Sequence, residues 1–172
     1  MTMSTRHIDE QVSKLIGRLP KRLSHVFRLL DYLSSPFAWG VYLLLLLVIG
    51  ADDINVKLTV AVLLAVPVAS ILKLFFRRQR PPTVYAEAMK IKSYSFPSSH
   101  AYTAALGCGY LIGAGLTGGA MAISAVLAAL VLVIGISRVH IGAHYPSDVI
   151  AGWLLGMAVL SGLLAIASAG GF

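Results

Sequence analysis

The chain has 172 residues, enough for one domain, of which 58% are hydrophobic and only 12% charged. A soluble domain carries about 25% charged residues, so a surface facing water on every side is excluded and a lipid-facing one is expected. The net charge of +7, from 14 Lys and Arg against 7 Asp and Glu, fits nucleic acid, anionic lipid or an anionic substrate, and the placement of the cations decides between them.

The N-terminus, Met1 to Asp9, is polar and lacks an apolar stretch with a cleavage site, so no signal peptide is expected there. Residues 6–33 repeat apolar side chains at three- and four-residue spacing, among them Ile8, Val12, Leu15, Leu23, Phe27 and Leu30. Arg6, Lys14, Arg18, Lys21, Arg22 and Arg28 lie between them, and Pro20 should break the helix. A basic amphipathic helix of this kind lies in the membrane interface, and its bland alternative is a soluble extension. Five apolar stretches follow: Phe37–Gly50, Val56–Phe76, Ala101–Leu116, Ala120–Ile136 and Val149–Ser168. The second has the length needed, at ~1.5 Å per residue, to cross a hydrocarbon core of ~30 Å. Gly152 and Gly156 form a GxxxG spacing, which lets helices pack closely in lipid. The expected fold is therefore all-α: an integral membrane bundle of about five spans with an N-terminal amphipathic interfacial helix. Residues 1–35 form the basic segment and residues 36–172 the transmembrane domain. The single cysteine, Cys108, allows no disulfide framework and no CxxC metal site within the chain.

With five spans, the loops 77–97 and 137–147 fall on one side and bring most of the polar chemistry together. Three segments stand out there. Lys73 and Arg80 are seven residues apart, which puts them on one face of a helix expected to end near Pro81-Pro82. Cations at the end of a membrane helix also snorkel to headgroups with no further role. Pro97-Ser98-Ser99-His100 opens the third span, with Ser98 as a natural N-cap and the amides of Ser99 and His100 free to bind phosphate. Ordinary capping beside an interfacial histidine accounts for it equally well. Ser137-Arg138 precedes His144 and Asp148, which are four residues apart, close enough for the carboxylate to hold the imidazole. An acid there is costly unless paired, and the helix dipole is its bland partner. Pro146 suits the first turn of the fifth span. His140, His144 and Asp148 also mimic a metal ligand set, but Gly142 and Pro146 argue against one helix presenting all three.

Taken together, Lys73…Arg80-Pro81, Pro97-Ser98-Ser99-His100 and Ser137-Arg138…His144…Asp148 resemble the three-part signature of the PAP2 (type 2 phosphatidic acid phosphatase) superfamily, K-x6-RP, PSGH and SR-x5-H-x3-D. The resemblance covers residues 56–168. It departs at Ser99, where the family has glycine; serine keeps the backbone amide but adds a hydroxyl. The resemblance implies a membrane lipid phosphatase acting on a lipid phosphate or diphosphate, with no metal and no cofactor. His144 would be the nucleophile, Asp148 its orienting carboxylate, and His100 the acid for the leaving oxygen and then the base for water. Lys73, Arg80 and Arg138 would neutralise the phosphoryl oxygens, with Ser98 and the Ser99 amide adding hydrogen bonds.

The expected partners are a lipid phosphate substrate and the bilayer, with no nucleic acid, and the expected location is the cell (plasma or inner) membrane as a multi-pass protein. Ten cations outside the motifs lie on the side of the N-terminus and the site, against Lys57 on the other, which places the site in the cytoplasm by the positive-inside rule. Polyprenyl diphosphate or phosphate, phosphatidylglycerophosphate, phosphatidic acid and a lipid A phosphate all fit. A small transporter would need polar residues along several spans, and a nonenzymatic protein binding anionic lipid would leave the three motifs without work.

Overall fold

The computed structural model describes residues 3–50, 67–88, 93–113 and 119–168, and within them every regular element is a helix. In chain order these are α1 (Met3–Gly17), α2 (Leu23–Leu33), α3 (Pro36–Gly50), α4 (Pro67–Phe76), α5 (Val84–Ala88), α6 (Ser99–Gly113), α7 (Met121–His140) and α8 (Pro146–Ser168). The expected break at Pro20 is present: α1 ends at Gly17, and the Pro20 carbonyl accepts from the Leu23 amide at 2.9 Å to start the next helix. Pro146 opens α8, where its missing N–H costs nothing. Part of the second expected span, residues 56–66, and the last three residues of the third, 114–116, lie outside the described residues.

The centre of the bundle is the crossing of α6 on α8. Tyr102, Leu106 and Tyr110 of α6 pack with Leu160 of α8 and Ala69 of α4. The GxxxG pair makes this crossing possible. A Cβ on Gly152 would sit 2.6 Å from the Ser98 carbonyl oxygen, and one on Gly156 would sit 2.7 Å from that of Tyr102. The two backbones therefore touch with no side chain between them, the close approach that small residues permit in lipid.

α7 leans on both helices, and its outer side carries exposed Met121, Val126 and Leu132, as α8 carries exposed Ile150, Leu154 and Met157. Large apolar side chains standing outward along helices of 20 and 23 residues fit a hydrocarbon surround, and both helices are long and apolar enough to cross a membrane. Among the described residues the protein is thus all-helical, and these two helices fit a membrane location.

α1 packs on α7 and α8, and α2 packs on α7 and α3. Ile16 joins the cluster of Ala101, Val139 and Val149, and Phe27 is buried with Ile141 and Ala143. His140, at the end of α7, fastens both N-terminal helices. Its Nδ1 lies 3.1 Å from the Ile16 carbonyl oxygen and its Nε2 lies 3.0 Å from Ser24 Oγ. Since a carbonyl only accepts, Nδ1 carries the proton and Nε2 accepts from the serine. The Phe27 ring stands edge-on to the same imidazole at 5.0 Å.

Candidate active site

The two motif-bearing helix starts are joined by backbone: the Ser98 amide donates to the Asp148 carbonyl at 3.0 Å. This single bond brings the start of α6 beside the start of α8. The loop between α7 and α8 does the rest. α7 closes in a Schellman turn, with the Gly142 amide on the Val139 carbonyl and the Ala143 amide on the Arg138 carbonyl, both at 3.0 Å. Gly142 has φ +74°, the left-handed conformation this turn requires, and Thr83 packs where a side chain would have to go. The chain that leaves the turn carries His144 straight into the bundle, where it is 1% exposed.

Lys73, Arg80, Ser99, His100, Arg138 and His144 line one cavity of ≈ 350 Å³. Six of the eight residues singled out by sequence thus share one space. The other two stand behind it. Ser98 is fully buried and its Oγ caps α6, accepting from the Ala101 amide at 3.4 Å, so its hydroxyl serves the helix end. Asp148 is also fully buried, and its Oδ2 lies 3.6 Å from His144 Nδ1 while accepting from the Tyr145 amide at 2.9 Å. The 3.6 Å separation is an ion-pair distance, longer than a hydrogen bond.

Arg80 reaches the other face of the same ring, with Nη1 3.3 Å from His144 Nε2 and 2.8 Å from the Ala143 carbonyl oxygen. A guanidinium can only donate, so Nε2 presents its lone pair, and the ring proton is on Nδ1, towards Asp148. Burial first, and then the charges of Arg138, Arg80, Lys73 and His100, hold the His144 pKa well below 6.5. The ring is therefore neutral at pH 7, with the unprotonated nitrogen, met by Arg80, facing a cation-lined space. Arg138 is 3% exposed, and its Nε has no hydrogen-bond partner among the described residues. Its Nη1 contacts the Asp31 carboxylate.

Lys73 and Arg80 do not share a helix, as their spacing suggests. α4 ends at Phe76, and Arg77 takes φ +49° as the left-handed terminator. Beyond it, Ser95 captures the carbonyls: its amide donates to Arg78 O at 2.8 Å and its hydroxyl contacts Gln79 O at 3.1 Å. Pro82 has no N–H with which a helix could bond Arg78 O, so the chain leaves the helix before Pro81. The two cations meet through a loop instead.

Three side chains belong to this region that sequence spacing did not single out. Arg78 donates to Asp148 Oδ1 at 2.5 Å and to Asp9 Oδ2 at 2.7 Å, and lies 4.2 Å above the Tyr145 ring. Asp9, on α1, in turn accepts from the Ser147 amide at 2.9 Å and its hydroxyl at 2.6 Å. Asp31, on α2, lies 3.1 Å from His100 Nε2 through Oδ1 and accepts from Tyr85 OH at 2.7 Å through Oδ2. Asp31 carries the one signal visible in the sequence: it is the sole carboxylate between Glu10 and Asp52. His140, whose nitrogens are both taken up by α1 and α2, does not join His144 and Asp148. Among the described residues no three His, Cys, Asp or Glu side chains form a group that could hold a metal.

The Arg78 clamp carries a stability prediction. Arg78→Met leaves two carboxylates, with side chains 3% and 0% exposed, without their counter-charge. The expected loss is about 3–5 kcal/mol, read as a lowered Tm in detergent. Arg78→Lys should recover only part of it, because an ammonium cannot fork between two carboxylates.

Comparison with known proteins shows the family. The sequence profile of the PAP2 superfamily matches residues 55–170. The chain is 34% identical over 127 residues to an undecaprenyl-diphosphatase of Sulfolobus acidocaldarius, covering 70% of this chain and 59% of that protein. It is 31% identical over 123 residues to phosphatidylglycerophosphatase B of Bacillus subtilis, covering 67% of this chain and 52% of that protein. The matching stretch thus spans little more than half the length of these relatives. In fold, the chain is similar to the crystal structure of the transmembrane PAP2-type phosphatidylglycerolphosphate phosphatase from Bacillus subtilis, with TM-score 0.76, 21% identity, and coverage of 97% of this chain and 88% of that one. It is also similar to that of Aquifex aeolicus LpxE, with TM-score 0.71, 24% identity, and coverage of 90% and 93%. With the matched profile covering more than half of the chain, the protein belongs to the PAP2 superfamily.

Proposed function

We propose that the protein is a membrane phosphatase that cleaves a lipid phosphomonoester or lipid diphosphate through a phosphohistidine on His144, with no metal. The observation that carries this reading is the neutral His144 Nε2 facing a cavity lined by Lys73, Arg80 and Arg138. Nε2 attacks the terminal phosphorus as its bond to the leaving oxygen breaks, an oxygen of the lipid alcohol in a phosphomonoester or of the lipid monophosphate in a diphosphate, and His100 passes that oxygen a proton. Water then attacks the phosphohistidine, gives its proton to His100, and releases inorganic phosphate. Asp148 steadies the imidazolium-like charge on His144. The three cations and the Ser99 amide at the start of α6 stabilise charge that builds on the equatorial oxygens, which is most of what phosphoryl transfer asks of a protein. Ser98 acts by fixing that helix start. The Ser99 hydroxyl, in place of the family's glycine, adds a donor at the cavity wall.

The same reading includes five spans, with residues 1–35 as a basic segment lying in the interface and residues 36–172 as the transmembrane domain. The cation distribution supports a cytoplasmic site. The names of the relatives make polyprenyl diphosphates and phosphatidylglycerophosphate the first substrates to try.

The test is phosphate release by purified protein from micellar polyprenyl diphosphate, phosphatidylglycerophosphate, phosphatidic acid and lipid A phosphate. Release from at least one, unchanged by a chelator, is expected; no release from any, or release abolished by chelator, counts against the proposal. A pH profile gives a second check. A proton on His144 silences the nucleophile, and its pKa lies well below 6.5, so His144 should impose no acid limb on kcat/KM as pH falls through 6.5. Arg80→Gln removes one of the charges that depress this pKa, so its acid limb is expected at higher pH than that of the wild type.

A further inference from the structure

A carboxylate beside an anion-binding cavity repels the ligand, so Asp31 needs a reason to be there. Its residue is 8% exposed, and its partners come from three other elements: His100 at the start of α6, Arg138 near the end of α7, and Tyr85 of α5. Tyr85 is itself aimed by a built turn. Thr83 caps α5, accepting from the Ala86 amide at 3.2 Å, while its hydroxyl donates to the Gly142 carbonyl at 2.9 Å. Asp31 is therefore held on both oxygens. Among the described residues it forms ion pairs with His100 and Arg138 and none with Lys73 or Arg80. It lines the same cavity as His100, Arg138 and His144.

This arrangement gives the site two imidazole–carboxylate pairs. His144 is backed by Asp148 at 3.6 Å, and His100 by Asp31 at 3.1 Å. We propose that Asp31 is the positioning residue for His100, fixing its ring through Nε2 so that the other ring nitrogen carries the proton delivered to the leaving lipid oxygen and later taken from water. The inference rests on the phosphatase reading and assigns it a residue of α2, outside the stretch that the family profile matches. No covalent change occurs at Asp31. Burial and the charges of Lys73 and Arg80 push the His100 pKa down to about 4, so the resting ring is neutral and the imidazolium that donates needs a counter-charge beside it. In the first step the proton moves from that imidazolium to the departing oxygen, in the second from water to His100, and the Asp31 carboxylate stays ionised at Nε2 throughout. The N-terminal helices then complete the site, and do not merely anchor the protein.

Leaving-group dependence separates this role from a structural one. An alkyl phosphate expels a strongly basic alkoxide that needs the proton, whereas p-nitrophenyl phosphate expels a phenolate that leaves without it. In kcat/KM, which reports steps up to phosphoryl transfer, Asp31→Asn is expected to lower the alkyl-to-aryl ratio by about 10–100-fold, within the range that a positioned acid contributes. Asp31→Glu should restore part of that ratio. Tyr85→Phe, which frees Oδ2 and leaves the His100 contact in place, should lower it less than Asp31→Asn. Equal losses on both substrates would mean that Asp31 only holds α2 to the bundle, and a gain on either would mean that the carboxylate occupies the phosphate position as a competitor; both results overturn the proposal. If Asp31→Asn fails to fold in detergent, the Asp31→Glu and Tyr85→Phe ratios decide alone, and ratios equal to the wild type overturn it. Wild-type protein inert on both substrates, or His144→Ala still active, would instead remove the phosphatase reading itself.

Discussion

Phosphate release by His144→Ala is expected to fall by on the order of 10³-fold or more, because loss of a nucleophile removes the reaction path and not merely some stabilisation of it. Among the described residues of the cavity, His144 Nε2 is the nitrogen that Arg80, a pure donor, meets as an acceptor. The variant should still fold. The tie between α6 and α8 is the backbone bond from Ser98 to Asp148, and the Schellman turn that sets the loop uses only main-chain groups. Circular dichroism and Tm in detergent, compared with the wild type, check the fold while a phosphate assay reads the activity. Near wild-type turnover by a folded His144→Ala protein would contradict the mechanism.

His100→Ala is expected to lose about 10²–10⁴-fold, the usual contribution of a positioned acid or base. The loss should exceed that of Asp31→Asn, because the asparagine variant keeps the imidazole and misplaces it, whereas alanine removes the proton carrier. His100 serves twice, so kcat falls along with kcat/KM. Single-turnover and steady-state kinetics on an alkyl phosphate separate the two steps. A variant slowed in steady state alone would restrict His100 to the water step. The alanine also strips Asp31 of one partner and leaves the carboxylate with Arg138 and Tyr85.

The parts of the site that were legible in the sequence are those whose spacing is local. His144 and Asp148 are one helical turn apart in number, and they meet because α8 begins between them. Ser98 and His100 straddle a helix start that the Pro-Ser-Ser run announces. Pro20 and Pro146 mark helix ends by the same short-range rule, since proline lacks a donor and clashes within a helix. The Gly152 and Gly156 pair reads as a close crossing, and the backbone at Ser98 and Tyr102 is what it meets. What the sequence did not disclose is held together by long-range contacts. Asp9 and Ser147 are 138 residues apart, and Tyr85 and Asp31 are 54 apart. No periodicity encodes such meetings. Arg78 illustrates the difficulty. A cation after an apolar span snorkels by default, and only the fold shows that two buried carboxylates wait for it. The end of α4 was misjudged for a related reason. Ser95, seventeen residues downstream of Arg78, supplies the hydrogen bonds that make a helix unnecessary there.

The N-terminal helices change how the charge pattern is understood. Arg18, Lys21 and Arg22 surround the Pro20 break and fit an anionic headgroup layer, yet Asp9 and Asp31 on the same two helices are buried against the site. A segment that looks like a membrane anchor thus contributes one carboxylate to the Arg78 clamp and another to the His100 pair.

The most direct measurement is chemical trapping of the covalent enzyme. Purified protein is mixed with phosphorus-labelled lipid phosphate, quenched in base within the first turnover, digested and sequenced by mass spectrometry. A phosphoryl group that is stable to base, labile to acid and located on His144, and that is missing from His144→Ala, is the result predicted here. Label on any other residue, or full turnover with no labelled enzyme at any quench time, would contradict it.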